Sequence, residues 1–237
     1  MIESIGVVIP VYNEGENIKA TIAEIEKKIK CPYAISIVYD REEDNTIPVV
    51  KELMSANKPI TLLKNKYGRG ALNAIKTGFE TVNAEAILVV MADLSDDLSN
   101  VDEMLEKLNQ GNAVVCGSRY VRGGRQLGGP LFKKTLSRLA GVSLYYLARI
   151  PTHDVTNSYK LYRKSLLNEI VIESNGGFEL GMEIVIKAFI KGYGVAEVPS
   201  TWTDRSAGES RFRLWKWLPS YLHWYFYALK GKWLGTK

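Results

Sequence analysis

An apolar segment that runs directly into carboxylates is the part of this sequence best suited to chemistry. Residues 86–97 read AILVVMADLSDD, so a strand-like run delivers Asp93 and, after a short turn, Asp96 and Asp97. Mg²⁺ needs only one or two protein carboxylates when substrate phosphates supply its other ligands. Side chains two residues apart share one face of a strand, and Met91 stands where a second carboxylate would accompany Asp93. We predict that Asp93 binds a divalent cation, Mg²⁺ or Mn²⁺, while Asp96 and Asp97 supply a second ligand, a helix cap or a solvated loop.

A second set of polar side chains is suited to binding a phosphate. Lys133 and Ser137 are four residues apart, as are Lys134 and Arg138, so each pair shares one face of a helix. Arg119 ends the strand-like run before this helix, and its planar guanidinium pairs well with phosphate oxygens. These residues predict a phosphate site; the alternatives are a solvated basic face and a face that lies on lipid.

Two further acids lie where they could take part in catalysis. Asp154 falls in a polar loop after that helix, where a carboxylate could act as a general base or could only brace the loop. Glu183 stands among apolar helix neighbours, which predicts that it faces a cleft. His153 and His223 have no neighbours at metal-ligand spacing, and we assign them no function.

Strands that alternate with helices must position these residues. Apolar runs at residues 5–10, 34–40, 60–65, 86–93 and 112–120 are typical of strands, and residues 17–30, 46–54, 71–82 and 100–110 of helices. This pattern indicates an α/β fold with a mostly parallel sheet flanked by helices on both faces. In such sheets ligands bind beyond the carboxyl ends of the strands. The polar strand ends therefore predict a ligand site along that edge.

The alternation stops after residue 120. A glycine-rich segment, VRGGRQLGGP, predicts a loop, and helices follow at residues 131–149 and 179–191 with a short strand between them. VAEVPSTWTDR predicts a further strand, and an aromatic amphipathic helix follows it. We predict one domain over residues 1–210 and a basic aromatic tail over residues 211–237.

Composition is that of a globular protein from a reducing compartment. Of the 237 residues 46% are hydrophobic, which is enough for one sizeable core. Cys31 and Cys116 lie near strand-like segments and are predicted to be buried thiols, without a disulfide or a metal site. The start, MIESIGVVIP, lacks the pattern of a secretory signal peptide, so a cytoplasmic location is expected.

Seven motifs occur in an order that resembles one known family. They read VVIPVYNEGENI, IVYDREEDNT, YGRGALNAIKTGF, MADLSDD, CGSRY, DVTNSYKLYRK and EVPSTWTDRSAGESRFR. In this order they resemble the family 2 glycosyltransferases, and most of all the dolichol-phosphate mannosyltransferases and related enzymes that glycosylate polyprenyl phosphates. The resemblance covers roughly residues 4–213, nearly the whole chain.

The resemblance implies a fold of the GT-A type, which is Rossmann-like, and an enzyme that transfers a sugar from a nucleoside diphosphate with inversion. By position, the nucleoside would be bound by Pro10, Tyr12, Glu14 and Asp40, and the metal by Asp93. The acceptor phosphate would be held by Arg119, Lys133, Ser137 and Arg138. Asp154 and Glu183 would line the sugar site with catalytic roles, and Arg205 and Ser210 would close on the donor diphosphate.

The chain departs from the usual motifs of the family at five places. Asn157 stands where a glycine is common, and Arg211 follows GES where a lysine is common. Tyr39-Asp40 stands where two adjacent aspartates are usual, and Arg41-Glu42 follows where Gly-Ser is usual. Met91-Ala92-Asp93 stands in place of Asp-x-Asp. The other three departures concern the nucleoside and metal sites, so the donor can be either a GDP-sugar or a UDP-sugar.

The chemistry of the acceptor favours a lipid phosphate. A phosphate monoester is largely ionised at neutral pH and can attack an anomeric carbon without a strong base, whereas a hydroxyl acceptor would need one, such as Asp154. We predict transfer of a hexose to a polyprenyl phosphate. A saccharide or other hydroxyl acceptor is the first alternative. The second is a weakly catalytic nucleotide-sugar-binding partner subunit, which Met91 and Tyr39 suggest.

The basic tail predicts a membrane surface as partner. Residues 205–237 carry seven Lys and Arg against one acid, while the whole chain has a net charge of +5. Residues 217–229, WLPSYLHWYFYAL, hold six aromatic residues and no formal charge; they are too short to span a bilayer but suit its headgroup layer. We predict a peripheral protein at the cytoplasmic face of a membrane. A core-packing helix or a homo-oligomer face is the alternative, and nucleic acid is not expected because an enzyme already explains the sequence.

Overall fold

A mixed α/β sheet organises the chain. The computed structural model describes residues 1–56, 58–204 and 214–233. The strands are β1 (Ile5–Val11), β2 (Tyr33–Tyr39), β3 (Ile60–Lys64), β4 (Ala86–Val89), β5 (Asn112–Ser118), β6 (Arg125–Leu127), β7 (Lys160–Arg163), β8 (Gly194–Pro199) and β9 (Thr201–Thr203). The helices are α1 (Ile18–Lys28), α2 (Thr46–Ser55), α3 (Ala71–Thr81), α4 (Val101–Asn109), α5 (Leu131–Leu147), α6 (Lys164–Glu169), α7 (Leu180–Ile190) and α8 (Leu214–Trp233).

The main sheet is largely parallel, as predicted. Its seven strands lie in the order β3-β2-β1-β4-β7-β5-β8, and β7 is antiparallel to both of its neighbours while the other pairs are parallel. Helices cover both faces, and each face has its own apolar core. All seven residues of β1 are buried, which is expected of a central strand covered on both sides.

The strand register brings the predicted ligand edge together. Val11 pairs with Tyr39 across β1 and β2, and Val8 pairs with Val89 across β1 and β4. Because all three strands are parallel, the residues that follow them leave the sheet at one edge. Polar residues from the β1, β2 and β4 ends therefore meet there.

Helix α5 approaches this edge closely at Gly141. A Cβ atom at this position would lie 2.0 Å from the carbonyl oxygen of His153. The missing side chain thus lets α5 pack directly on the backbone of residues 153 and 154, which sets the helix beside the loop that follows it. This packing places the polar face of α5 next to the end of β5.

Some elements differ from the sequence prediction. The glycine-rich segment after residue 120 carries β6, which pairs in parallel with β9 in a second, two-stranded sheet. The six-residue α6 was not predicted, because one and a half turns are too short for a periodic signal.

Helix α8 packs on the domain rather than standing apart from it. Trp224 and Ala228 are buried in the core beside α5 and α7, as the core-packing alternative for this segment requires. Its other side exposes Trp215 and Phe226. A domain boundary at residue 211 stays a prediction, since residues 205–213 lie outside the described part of the chain.

Candidate active site

A large cavity opens at the carboxyl edge of the sheet. Its volume is about 1440 Å³, and it extends from the ends of β1, β2 and β4 to the space between α5 and α8. Of the residues predicted to bind ligands, it is lined by Pro10, Tyr12, Glu14, Asp40, Asp93, Arg119, Lys133 and Ser137. Residues that the sequence separates by more than a hundred positions thus share one cavity.

The carboxylates at the end of β1 and β2 brace loops. Asp40 accepts hydrogen bonds from Asn65 Nδ2 at 2.8 Å and from the backbone nitrogen of Gly70 at 2.9 Å. Glu14 Oε2 accepts one from Asn17 Nδ2 at 2.8 Å. Asp40 therefore holds the glycine-containing turn before α3 against the sheet edge, in addition to lining the cavity.

The acids after β4 fall into two groups. Asp93 is 8% exposed and lines the cavity, and its Oδ1 accepts a hydrogen bond from the backbone nitrogen of Ser95 at 3.2 Å. Asp97 caps the short 3₁₀ turn at Ser99 and pairs with Lys28 Nζ at 2.9 Å. Asp96 Oδ2, by contrast, is buried and has no hydrogen-bond partner among the described residues. Asp96 is not itself among the residues that line the cavity, but its unpartnered oxygen and the nearby charge of Asp93 make it, and not Asp97, the candidate for a second carboxylate ligand.

This acid pair fits a divalent cation. Burial, together with the nearby charge of Asp93, raises the pKa of Asp96 to about 7. A cation would relieve both penalties, because it supplies the missing partner and offsets the repulsion between the two carboxylates. Within the described residues, no group of three or more His, Cys, Asp or Glu side chains could hold an ion. Oxygen atoms of a substrate diphosphate or water would therefore complete the shell, as is usual for Mg²⁺.

We expect Asp96→Asn to stabilise the fold and to weaken cation binding. The folded protein holds an extra proton on Asp96 between about pH 4 and pH 7, so wild-type stability falls as the pH rises through this range. The neutral amide avoids this loss, and the variant should be more stable by about 1 to 3 kcal/mol at pH 8, with little difference at pH 4. Urea unfolding at both pH values measures it.

Mn²⁺ titration in the presence of a nucleoside diphosphate provides the second measurement for this variant. Loss of one carboxylate ligand should weaken binding about tenfold or more. Asp97→Asn is the matched control, because that carboxylate is committed to Lys28 and Ser99. Equal Mn²⁺ affinity in wild type and Asp96→Asn would contradict the assignment of Asp96.

A buried ion pair anchors the end of β5. Arg119 Nε lies 2.6 Å from Asp154 Oδ2, and its Nη2 lies 2.9 Å from Asp154 Oδ1. The same Nη2 lies 3.0 Å from Ser137 Oγ and 3.1 Å from Thr156 Oγ1. The Asp154 side chain is 0% exposed and that of Arg119 is 10% exposed. This network joins β5, α5 and the loop after α5 at the cavity wall.

The environment of Asp154 does not fit the general base considered from sequence. Burial by itself would raise the pKa of Asp154, but the charge and hydrogen bonds of Arg119 outweigh it and hold this pKa below its ordinary value. Both carboxylate oxygens are engaged by Arg119, and Asp154 is not among the residues that line the cavity. Its role is to hold the guanidinium of Arg119 in place.

Glu183 also lies outside the cavity wall, contrary to the prediction that it faces a cleft. It is 0% exposed, and its carboxylate accepts hydrogen bonds from the backbone nitrogens of Glu173 and Ser174 at 2.6 and 2.9 Å. Lys187 Nζ lies 2.7 Å from it. Glu183 therefore fixes the start of the segment Asn175–Phe178, which does line the cavity.

Three other predicted residues are not part of the described cavity wall. Arg138 is exposed on α5 and does not line the cavity, although Ser137 beside it does. Arg205 and Ser210 lie outside the described residues.

The structure adds residues that the sequence analysis missed. Thr156 Oγ1 lies 2.5 Å from Ser137 Oγ, and Tyr120 Oη lies 3.0 Å from the same atom, so both complete the Arg119 network. Lys160 is fully buried and donates to the carbonyl oxygens of Val155 and Asn157, which fixes the loop that carries Thr156. All three residues lie in motifs of the sequence, Tyr120 in CGSRY and Thr156 and Lys160 in DVTNSYKLYRK.

Comparison with known families decides the class of protein. The family described as glycosyl transferase family 2 matches residues 6–171, more than half of the chain. The chain belongs to glycosyl transferase family 2. The cavity at the carboxyl edge of its sheet is therefore the candidate active site of a family 2 glycosyltransferase.

Two curated relatives have names that refer to dolichol phosphate or to polyprenol monophosphomannose. The chain is 30% identical over 212 residues to the dolichol-phosphate mannosyltransferase of Pyrococcus furiosus, covering 88% of this chain and 59% of that protein. It is 29% identical over 212 residues to the polyprenol monophosphomannose synthase of Mycolicibacterium smegmatis, covering 86% of this chain and 79% of that protein. The chain thus spans less than two thirds of the length of the first of these relatives.

Solved structures of a glycosyltransferase share the fold. The glucosyl-3-phosphoglycerate synthase of Mycobacterium tuberculosis, in complex with Mn²⁺, UDP and glucosyl-3-phosphoglycerate, matches with a TM-score of 0.67 at 15% identity, over 97% of this chain and 80% of that chain. Its complex with UDP matches with a TM-score of 0.70 at 15% identity, over 96% and 80%. These likenesses confirm the predicted GT-A-type α/β fold.

Proposed function

We propose that this family 2 member transfers a hexose from a nucleoside-diphosphate sugar to a polyprenyl phosphate, with inversion at the anomeric carbon. The main support for the proposal is the distribution of polar, apolar and cationic residues along the cavity wall. A polar part lies at the strand ends, an apolar part lies between α5 and α8, and the cationic residues Arg119 and Lys133 line the same cavity. This arrangement suits a donor, a phosphate and a hydrocarbon chain.

The apolar part of the cavity lies between two helices. Leu136, Leu139 and Ala140 of α5 line it, as do Leu218, Leu222 and Tyr225 of α8. Lys133 lies about one turn before Leu136, and Ser137 lies among these α5 residues, so a phosphate held there would extend its chain along the two helices. A short sugar acceptor would leave these apolar side chains without a ligand, which favours the lipid phosphate over a hydroxyl acceptor.

The residues between the polar and the apolar part of the cavity would perform the reaction by positioning and electrostatics. The guanidinium of Arg119, held by Asp154, and the ammonium of Lys133 would orient the phosphate oxygen that attacks the anomeric carbon. The attacking phosphate is already ionised, so no protein base is required. A divalent cation held by Asp93 and Asp96 would offset the charge that develops on the departing diphosphate. Metal dependence is thus part of the proposal.

A membrane surface fits the side of the molecule that α5 and α8 form. Leu131 and Phe132 of α5 and Trp215 of α8 are 79%, 55% and 75% exposed, and the rings of Phe132 and Trp215 lie 6.1 Å apart. An exposed aromatic and apolar patch beside a basic helix suits the lipid headgroup layer. Among the described residues no helix is long and apolar enough to cross a membrane. We propose peripheral binding at the cytoplasmic face of a membrane, without nucleic acid as a partner; a homo-oligomer stays possible.

A donor and acceptor panel tests the proposal. We would measure nucleoside diphosphate release from GDP- and UDP-sugars with Mg²⁺, Mn²⁺ or EDTA, and with a short polyprenyl phosphate, with a saccharide or with no acceptor. Release that needs both the cation and the lipid phosphate is expected. Release with a saccharide acceptor alone would replace the lipid acceptor with a hydroxyl one. Binding of the nucleotide without release under any condition would favour a weakly catalytic partner subunit.

A matched pair of α5 variants tests the acceptor site. Lys133→Ala should raise the acceptor KM about 10- to 100-fold with little change in donor KM, because a charge-assisted contact to the phosphate is lost. Arg138→Ala removes the same charge from an exposed position of the same helix and should leave both KM values near those of wild type. Equal effects of the two variants would remove the reason for placing the phosphate at Lys133.

A further inference from the structure

The order of the strands sets the order of ligand parts along the cavity. β2 and β4 flank β1 on either side, and adjacent strands lie about 4.8 Å apart. Asp93 follows β4, Tyr12 follows β1, and Arg41 follows β2, so Arg41 lies two strands away from the carboxylate that suits a cation and diphosphate. A nucleoside diphosphate with its phosphates near Asp93 would place its base toward Tyr12 and Arg41.

Arg41 stands at this end, with its guanidinium beside the Tyr12 ring. It lines the cavity, and its Cζ lies 6.0 Å from the centroid of the Tyr12 ring. Its Nε is buried yet has no hydrogen-bond partner among the described residues. The adjacent Glu42 is not its partner, because Glu42 pairs with Lys64 Nζ at 2.8 Å.

The neighbouring carboxylate is already committed. Both oxygens of Asp40 accept hydrogen bonds, from Asn65 and from Gly70, which hold the turn before α3. A base entering here therefore meets an uncommitted donor group and an aromatic ring. This combination favours a base whose exposed edge carries acceptors and whose ring can stack.

Guanine has the edge that matches an arginine. Its O6 and N7 are adjacent acceptors, which a guanidinium binds in a bidentate manner. Adenine presents an acceptor and a donor on the same edge, so one of the two bonds is lost. Uracil offers single carbonyl oxygens without an adjacent ring nitrogen acceptor. The fork of Arg41 therefore distinguishes the three bases by the acceptors that they present.

We propose that Arg41 selects the donor base by binding O6 and N7 of guanine, with Tyr12 supporting the base from the side. This inference rests on the proposed function for the site and adds the nucleotide to it. The departure from the usual family motif at residue 41 then acquires a role, and the donor is a GDP-sugar. The UDP named for the solved M. tuberculosis synthase belongs to a protein that is only 15% identical to this chain.

The test is equilibrium binding of nucleoside diphosphates to the full chain in the presence of Mn²⁺. The ligands are GDP, 7-deaza-GDP, in which carbon replaces N7, ADP and UDP. Wild type should bind GDP about 10- to 100-fold more tightly than ADP or UDP, and should lose about tenfold or more with 7-deaza-GDP.

Two variants of Arg41 separate the effect of the guanidinium fork on base binding from the effect of its positive charge. Arg41→Lys keeps the charge but loses the fork, and Arg41→Ala loses both; each should bind GDP and 7-deaza-GDP equally. Arg122→Ala, at an exposed position outside the cavity wall, should keep the wild-type preference. Circular dichroism verifies that each variant is folded.

Three outcomes would overturn the inference. These are a wild type that binds UDP as tightly as GDP, a wild type that binds 7-deaza-GDP as tightly as GDP, and an N7 effect that persists in Arg41→Ala. Arg69 also lines the cavity, so an N7 effect that persists in Arg41→Ala but disappears in Arg69→Ala would transfer the role to Arg69. None of these bears on whether sugar reaches a lipid phosphate, because binding is measured without acceptor. Failure of the acceptor panel with a retained N7 effect would instead overturn the transfer and leave Arg41 as a guanine-binding residue.

Discussion

Replacing Asp93 with asparagine should abolish sugar transfer while the fold is retained. The side chain is 8% exposed at the cavity wall. Its carboxylate is the group that we assign as the main protein ligand of the cation. An amide removes the negative charge but keeps the size and the acceptor for Ser95. Metal-assisted stabilisation of a leaving diphosphate contributes several kcal/mol, so kcat/KM should fall at least about 10³-fold.

The measurement for Asp93→Asn is donor turnover at saturating Mn²⁺, together with Mn²⁺ and GDP binding. Mn²⁺ should no longer tighten nucleotide binding in the variant. Asp97→Asn serves as the matched control, since it lies in the same segment but its carboxylate bonds to Lys28 and Ser99. A variant that keeps more than about a tenth of wild-type turnover would refute a ligand role for Asp93.

Removing Asp154 should be among the most destabilising single changes in the chain. Asp154→Ala would leave the guanidinium of Arg119 buried without its counter-ion, a change that typically costs about 3 to 5 kcal/mol. The reverse change, Arg119→Met, leaves a buried carboxylate that can take up a proton. The double variant removes both charges and should recover a large part of the lost stability. Urea unfolding of the four proteins measures the coupling.

The pH dependence of this pair has a definite sign. Arg119 holds the pKa of Asp154 below its ordinary value, despite burial, which by itself acts in the opposite direction. The stability that the pair contributes is therefore present above the unfolded pKa of about 4, and it is lost as the pH falls through the lower folded value. The difference in unfolding free energy between wild type and the double variant should become smaller only as the pH falls below about 4. A difference in unfolding free energy that becomes smaller between pH 6 and 8 would contradict a lowered pKa of Asp154.

Asp154 also distinguishes a positioning role from a general base. If it only orients Arg119, Asp154→Asn should raise the acceptor KM more than it lowers kcat, and the pH profile of kcat should keep its shape. Loss of an acidic limb from that profile, with acceptor KM unchanged, would restore Asp154 as a base.

Local patterns in the sequence were enough for the alternating strands and helices of the first 120 residues, but not for β6, the second sheet or α6. Strands buried on both faces must be apolar throughout, so β1 and β4 are recognisable as continuous runs, and the helices between them show their buried stripe. The ends of such strands meet at one edge because parallel pairing allows no other arrangement. Asp93, Tyr12 and Asp40 were thus predicted to be neighbours without any knowledge of their contacts. The four-residue spacing of Lys133 and Ser137 likewise placed both on one helix face.

The roles of the other acids were decided only by the tertiary structure. Periodicity shows which face of an element is buried but not which group it is buried against. Asp154 is 35 residues from Arg119, its partner, and only packing at Gly141 brings α5 and this loop to the end of β5. Glu183 looked like a cleft residue because its neighbours are apolar, yet backbone nitrogens of another segment and Lys187 occupy its carboxylate.

The choice between Asp96 and Asp97 was of the same kind. Adjacent acids of equal chemistry cannot be ranked from sequence, because their partners lie elsewhere in the chain. Lys28 of α1 takes Asp97, while the fold buries an oxygen of Asp96 without a partner among the described residues. The sequence by itself determined the sheet, its ligand edge and the types of group available there. The tertiary structure decided which of those groups face the cavity, because burial and pairing depend on contacts between distant segments.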